Sequence, residues 1–105
     1  MIIKLKDIIG EYCSQRQNSP SGKGGQHIRQ VILDNWNKAG KIEISFDGVK
    51  LSTLSFIDEA FAKLAINYSL EQLKSKLIFS QIDEETKNKI NKGIEVRIQQ
   101  RQNNG

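Results

Sequence analysis

The chain of 105 residues has very few of the residue types that build thiol and metal sites. It contains one cysteine, Cys13, and one histidine, His27. A single cysteine excludes a disulfide within the chain and a cysteine cluster for zinc. A thiol nucleophile needs an activating base, and we interpret both Cys13 and His27 as structural or exposed residues. We therefore expect no metal and no cofactor.

Long hydrophobic runs are also missing. No apolar stretch approaches the roughly 20 residues of a membrane-spanning helix, and the opening MIIKL is too short for the apolar part of a secretion signal. We expect a cytoplasmic protein that does not contact membranes. Hydrophobic residues make up 37% and charged residues 27% of the chain, which is typical of a soluble domain.

The length fits a single domain covering residues 1–105. Residues 14–25 combine polar side chains, three glycines and the only proline, Pro20. This composition predicts a flexible surface loop, and we expect the tail, residues 101–105, to be flexible too.

Hydrophobic periodicity predicts strands and helices that alternate along the chain. The predicted strands are IIKL (2–5), KIEISF (41–46) and KLIFSQ (76–81), and the predicted helices cover about 26–39, 56–68 and 83–101. Gly93 and the alternating IEVRI leave residues 93–100 open between helix and strand, and we favour helix. We expect an α/β fold: a mostly parallel or mixed sheet of about four strands, with helices packed on it.

The stretch SGKGG, Ser21 to Gly25, raises the question of a nucleotide site. Glycines before a helix let backbone N–H groups approach a phosphate. A P-loop, however, needs four residues between its first glycine and a final Gly-Lys-Ser/Thr, and SGKGGQ has neither the spacing nor the hydroxyl. We interpret the segment as a flexible lead into the first long helix.

A second motif, TLSFIDEAF, places Ser55 at a predicted helix start and Asp58 three residues later. This spacing is typical of a capping box. A helix start also stabilises a phosphate on the same serine, so both roles stay open. Asp58 and Glu59 point about 100° apart on a helix and cannot flank one bond as glycosidase carboxylates do, so we expect no catalytic residue and no enzyme.

The formal net charge is +4, and the excess gathers near the end of the chain. The basic residues there are Lys87, Lys89, Lys92, Arg97 and Arg101. A solvated helix face is one interpretation, and an acidic partner is the other. The alternative function is therefore a small nucleic-acid-associated protein that uses this basic helix, although no aromatic residues interleave with the charges.

Three short motifs carry a resemblance to a known family. They are Gly25 followed by Ile28 and Arg29, the segment SFDGV from Ser45 to Val49, and the segment SFIDE from Ser55 to Glu59. Together with the order of elements, they resemble the STAS domain of bacterial anti-sigma factor antagonists. They are more closely similar to the small STAS-like family of unknown function. The likeness covers roughly residues 22–100.

This resemblance implies a non-enzymatic regulatory module in bacterial signalling. Its partner would be a protein, either a histidine-kinase-like ATPase or an anti-sigma factor. Ser55 matches the serine that a kinase phosphorylates in the antagonists and is the candidate phosphoacceptor. The expected partner-binding residues are Thr53, Ser55, Phe56, Asp58 and Glu59.

Overall fold

The computed structural model, which describes residues 1–104, contains five short strands and five α-helices. The strands are β1 (Ile2–Lys4), β2 (Tyr12–Cys13), β3 (Ile42–Ser45), β4 (Leu51–Ser52) and β5 (Leu77–Ser80). The α-helices are α1 (Leu5–Ile8), α2 (Gly25–Asn35), α3 (Leu54–Ala60), α4 (Leu70–Lys76) and α5 (Glu84–Asn104), and a 3₁₀ helix covers Ala62–Ile66. Gly105 of the predicted flexible tail lies outside the described residues.

The strands of residues 1–104 form two small parallel sheets. The larger has the order β1-β3-β5, and the smaller pairs β2 with β4. The α/β class with parallel strands is thus confirmed, while the expected sheet of about four strands is divided into sheets of three and two. In the larger sheet Ile3 pairs with Ile44, and Ile44 pairs with Phe79.

One face of the larger sheet carries the core. Ile3 and Ile44 are buried on it, whereas Ile2 and Ile78 on the opposite face are 59% and 43% exposed. Phe61 and Leu64 are fully buried in this core. The Phe61 ring packs edge-on against Phe79 at a centroid distance of 5.2 Å.

The first long helix ends earlier than predicted, at Asn35 instead of Ala39. The Asn35 side chain donates a hydrogen bond to the Val31 carbonyl at 2.8 Å, and the N–H groups of Lys38 and Ala39 both donate to the Asn35 carbonyl. Side-chain bonding of asparagine to the backbone favours turns over helix. The three residues after Asn35 therefore form a turn.

The prediction of one continuous helix over 56–68 is wrong. Helix α3 begins at Leu54 and ends at Ala60, and the 3₁₀ helix follows after Phe61. Phe61 has φ −121° and ψ −48°, outside regular helical geometry. Its ring fills the core against Phe56 and Phe79, so tertiary packing interrupts a segment whose apolar spacing is helical throughout.

Helix α4 was not predicted. Its start is a capping box: the Ser69 hydroxyl accepts the Gln72 N–H at 3.2 Å, and the Gln72 side chain accepts the Ser69 N–H at 2.8 Å. Because the helix continues to Lys76, the strand that we expected from residue 76 begins at Leu77.

Helix α5 is continuous, so residues 93–100 are helical as favoured. The Asp83 side chain accepts the Thr86 N–H at 2.7 Å and caps the helix. A Cβ on Gly93 would lie 3.3 Å from the Ala62 Cβ, so the glycine allows α5 to pack closely on the 3₁₀ helix. Within residues 1–104, no helix has the length and apolar character needed to cross a membrane.

Candidate functional site

The start of α3 is capped by Thr53, which corrects the predicted capping box of Ser55 and Asp58. Thr53 is extended, and its hydroxyl accepts the Phe56 N–H at 3.2 Å while it donates to the Ser14 carbonyl at 3.2 Å. Leu54 is the first helical residue, so Ser55 already lies inside the first turn. Its side chain is exposed and has no capping role.

Asp58 bonds to two arginines instead of reaching back to the helix start. Arg97 of α5 donates two hydrogen bonds, at 2.9 and 2.6 Å, and Arg16 of the loop before α2 donates one at 2.7 Å. The bond from Arg97, with help from Arg16, lowers the pKa of Asp58 to about 2 from its usual 3.8, although partial burial opposes the shift. Asp58 therefore ties three separate segments together.

Glu59 is a buried anchor. Burial alone would raise its pKa, but hydrogen bonds from Arg29 and Lys63, at 2.6 and 2.9 Å, lower the pKa below the usual value. Arg29 also donates to the Glu59 carbonyl. The charge is satisfied inside the molecule, as a buried carboxylate requires.

The five predicted partner-binding residues thus divide by burial. Ser55 is exposed, and Thr53 and Asp58 are half-buried. Phe56 and Glu59 are buried, at 0% and 1% exposure. The expectation that these two side chains meet a partner does not fit their burial, because both face the interior of the domain.

A groove between α3 and α5 brings Ser55 together with Leu54 and Val96, which the sequence did not single out. We call it the α3–α5 groove; its volume is about 560 Å³. Leu54 and Val96 border it and are 64% and 39% exposed, so two apolar side chains face solvent beside one cavity. Lys89 and Lys92 also line it.

The basic residues near the end of the chain do not form one solvated stripe. Arg97 binds Asp58, and Arg101 donates to the carbonyls of Ala65 and Tyr68 at 2.9 and 3.5 Å. Lys89 pairs with Glu85 at 3.5 Å. The two arginines thus hold α5 against the rest of the domain.

Three amide groups of the SGKGG segment, those of Gly22, Gly24 and Gly25, already donate hydrogen bonds within the molecule. The Gly24 N–H donates to the Asn18 side chain at 3.1 Å, and the Gly25 and Gln26 N–H groups donate to the carbonyls of Gln15 and Arg16, both at 2.8 Å. A phosphate cradle needs such groups free. The segment leads directly into α2, which begins at Gly25.

Cys13 is not an activated nucleophile. Cys13 is buried, and this burial raises its pKa to about 11. A raised pKa keeps the thiol protonated and unreactive. Among residues 1–104, no cluster of three His, Cys, Asp or Glu side chains is arranged to hold a metal ion.

The motif residues meet at the interface of α2 and α3. A Cβ on Gly25 would lie 2.8 Å from the Phe56 carbonyl oxygen, so only glycine lets the helices approach this closely. Arg29, four residues after Gly25, then binds Glu59 and joins α2 to α3. In the SFDGV segment, the Val49 N–H donates to the Phe46 carbonyl at 2.9 Å across a turn in which Gly48 has φ +77°.

Parallel strands, covering helices and the tightly joined α2–α3 pair define a STAS-like α/β domain. Residues 24–87, well over half of the chain, match the model of the STAS-like domain of unknown function (DUF4325), and the chain belongs to this family. The match runs from the residue before α2 into the first turn of α5. Comparison with curated proteins and with solved structures gave no significant match.

Proposed function

We propose that this domain is a non-enzymatic regulatory module that binds a protein partner through the α3–α5 groove. The observation that carries the proposal is the exposure of Leu54 and Val96 beside one cavity of about 560 Å³. Burying about 100 Å² of such apolar surface contributes on the order of 2–3 kcal/mol to association. A helix or loop of a partner fits a groove of this kind.

Ser55 is the proposed control point of that surface. Its hydroxyl is exposed on the groove, and the resemblance to anti-sigma factor antagonists implies phosphorylation by a kinase-type ATPase. Phosphorylation would add a charge of about −2 within the apolar contact, which opposes docking through desolvation. Repulsion from Asp58 and Glu59 contributes little, because cations already neutralise both carboxylates.

The partner that we propose is a histidine-kinase-like ATPase or an anti-sigma factor, and such a partner would give the domain a role in bacterial signalling. The alternative, nucleic-acid binding by α5, has less support. Arg97 and Arg101 are engaged in internal hydrogen bonds, which leaves the lysines to contact phosphates. Steep loss of affinity with salt distinguishes nucleic-acid binding from docking in an apolar groove.

The test is the affinity of the domain for a partner isolated from the source cell, compared between two charge insertions. Leu54→Glu places a carboxylate on the groove, and Ile66→Glu places one on an apolar residue that is 57% exposed and does not line it. We expect Leu54→Glu to weaken binding at least tenfold and Ile66→Glu to leave it unchanged, with similar melting temperatures. Equal affinities for both variants would contradict the proposed surface.

A further inference from the structure

A second groove lies along the edge of the three-stranded sheet, and we call it the β5 groove. Its volume is about 360 Å³, and α4 and α5 contribute its other walls. Leu77, Ile78 and Phe79 all border it. Since neighbouring side chains of a strand point to opposite faces, three consecutive residues can border one groove only if it follows the strand's edge.

The backbone along this edge is unpaired. β5 is the last strand in the order β1-β3-β5 and pairs with β3 alone. Beyond that ladder, no hydrogen bond within residues 1–104 reaches the backbone of Ile78 or Phe79. Free N–H and C=O groups of an edge strand are a template for a further strand.

The side chains along the groove are apolar with a basic rim. Leu70 and Ile78 are 37% and 43% exposed, and the buried Leu73 and Ile94 form the deeper wall. The charged residues that line the groove are Lys74 and Lys87, and no carboxylate of residues 1–104 joins them. Neither lysine takes part in an ion pair within the described chain.

We propose that the β5 groove binds an extended acidic segment of a partner protein as an additional strand of the sheet. Alternate side chains of this segment are apolar and enter the groove, and acidic ones lie beside Lys74 and Lys87. A second copy of β5 fits poorly, because edge-to-edge pairing would bring the lysines of both copies together. The β5 groove shares no lining residue with the α3–α5 groove, so the two surfaces are independent.

The experiment is an NMR titration of the full chain with short synthetic probes. The main probe is a capped octapeptide in which valine and glutamate alternate. The control is a capped octapeptide in which valine and lysine alternate. We expect the glutamate peptide to shift the amide resonances of residues 77–80 and to bind about fivefold more tightly than the lysine peptide, because two exposed ion pairs separate them. The charge reversals Lys74→Glu and Lys87→Glu together are expected to invert this preference.

Two further results decide whether a strand is added. Methylation of alternate peptide nitrogens, applied in either of the two possible registers, is expected to abolish the shifts in one register, because methylated nitrogens cannot pair with β5. Equal shifts in both registers would overturn strand addition. The proposal is also overturned if residues 77–80 do not respond, if both peptides bind alike, or if sedimentation shows two copies joined through β5.

Discussion

The pairing of Asp58 with two arginines makes the stability of the domain depend on pH, and the size of this effect follows from the pKa of Asp58. The folded pKa is about 2 and the usual value is 3.8. One pKa unit corresponds to about 1.4 kcal/mol, so the ionised carboxylate contributes about 2 kcal/mol to folding. Since the folded pKa is the lower one, this contribution is complete above about pH 4 and is lost as the pH falls through about 2.

The perturbation that isolates this effect is Asp58→Asn, which keeps the shape of the side chain and removes its charge. Urea unfolding followed by the fluorescence of Trp36, the only tryptophan and a buried one, gives the free energy of unfolding. We expect wild type to exceed the variant by about 2 kcal/mol at pH 7, with most of that difference lost by pH 2. The difference between the two free energies of unfolding cancels the titration of the other carboxylates, which both chains contain.

Asp47→Asn is the matched control, because Asp47 is exposed and forms no ion pair within residues 1–104. We expect this substitution to change the free energy of unfolding by less than about 0.5 kcal/mol. A difference between wild type and Asp58→Asn that stays constant from pH 7 to pH 2, or grows toward acid, would refute the role of the arginine pairing.

Other substitutions test the fold and the helix start by the same unfolding measurement. Thr53→Ala should cost about 0.5–2 kcal/mol and Ser55→Ala less than about 0.5, because Thr53 is the cap; the reverse order would restore Ser55 as the cap. Gly25→Ala should cost about 1–3 kcal/mol, since its Cβ would press on the Phe56 carbonyl oxygen; a neutral result would mean that α2 and α3 lie further apart. Phe61→Ala should cost about 3–5 kcal/mol, and an unchanged stability would place the ring outside the core.

Local sequence patterns predicted those helices and strands whose buried face matches the spacing of their own apolar residues. Alternation located β3, and the spacing of Ile90 and Ile94 located the buried stripe of α5. The break at Phe61 has no local signal, because the apolar spacing continues through it and the core decides where its ring goes. Helix α4 does have a local signal, the pair Ser69 and Gln72, whose spacing matches a capping box.

The candidate site was predictable only in part. The sequence singled out Ser55 and the carboxylates beside it, but it did not show that Asp58 meets an arginine 42 residues earlier in the chain. Contacts at such separations follow from topology, and no spacing rule describes them. The same limit applies to Val96, which lies off the stripe of Ile90 and Ile94 and borders the groove.

The central claim is that a protein partner docks on the α3–α5 groove under control of Ser55. The most direct measurement is calorimetric titration of the isolated partner with wild type, Ser55→Asp and Ser75→Asp. The last adds the same charge on an exposed serine that does not line the groove. We predict that Ser55→Asp weakens binding at least tenfold while its free energy of unfolding changes by less than about 1 kcal/mol, and that Ser75→Asp binds like wild type. Equal affinity of all three chains for the partner would contradict the claim.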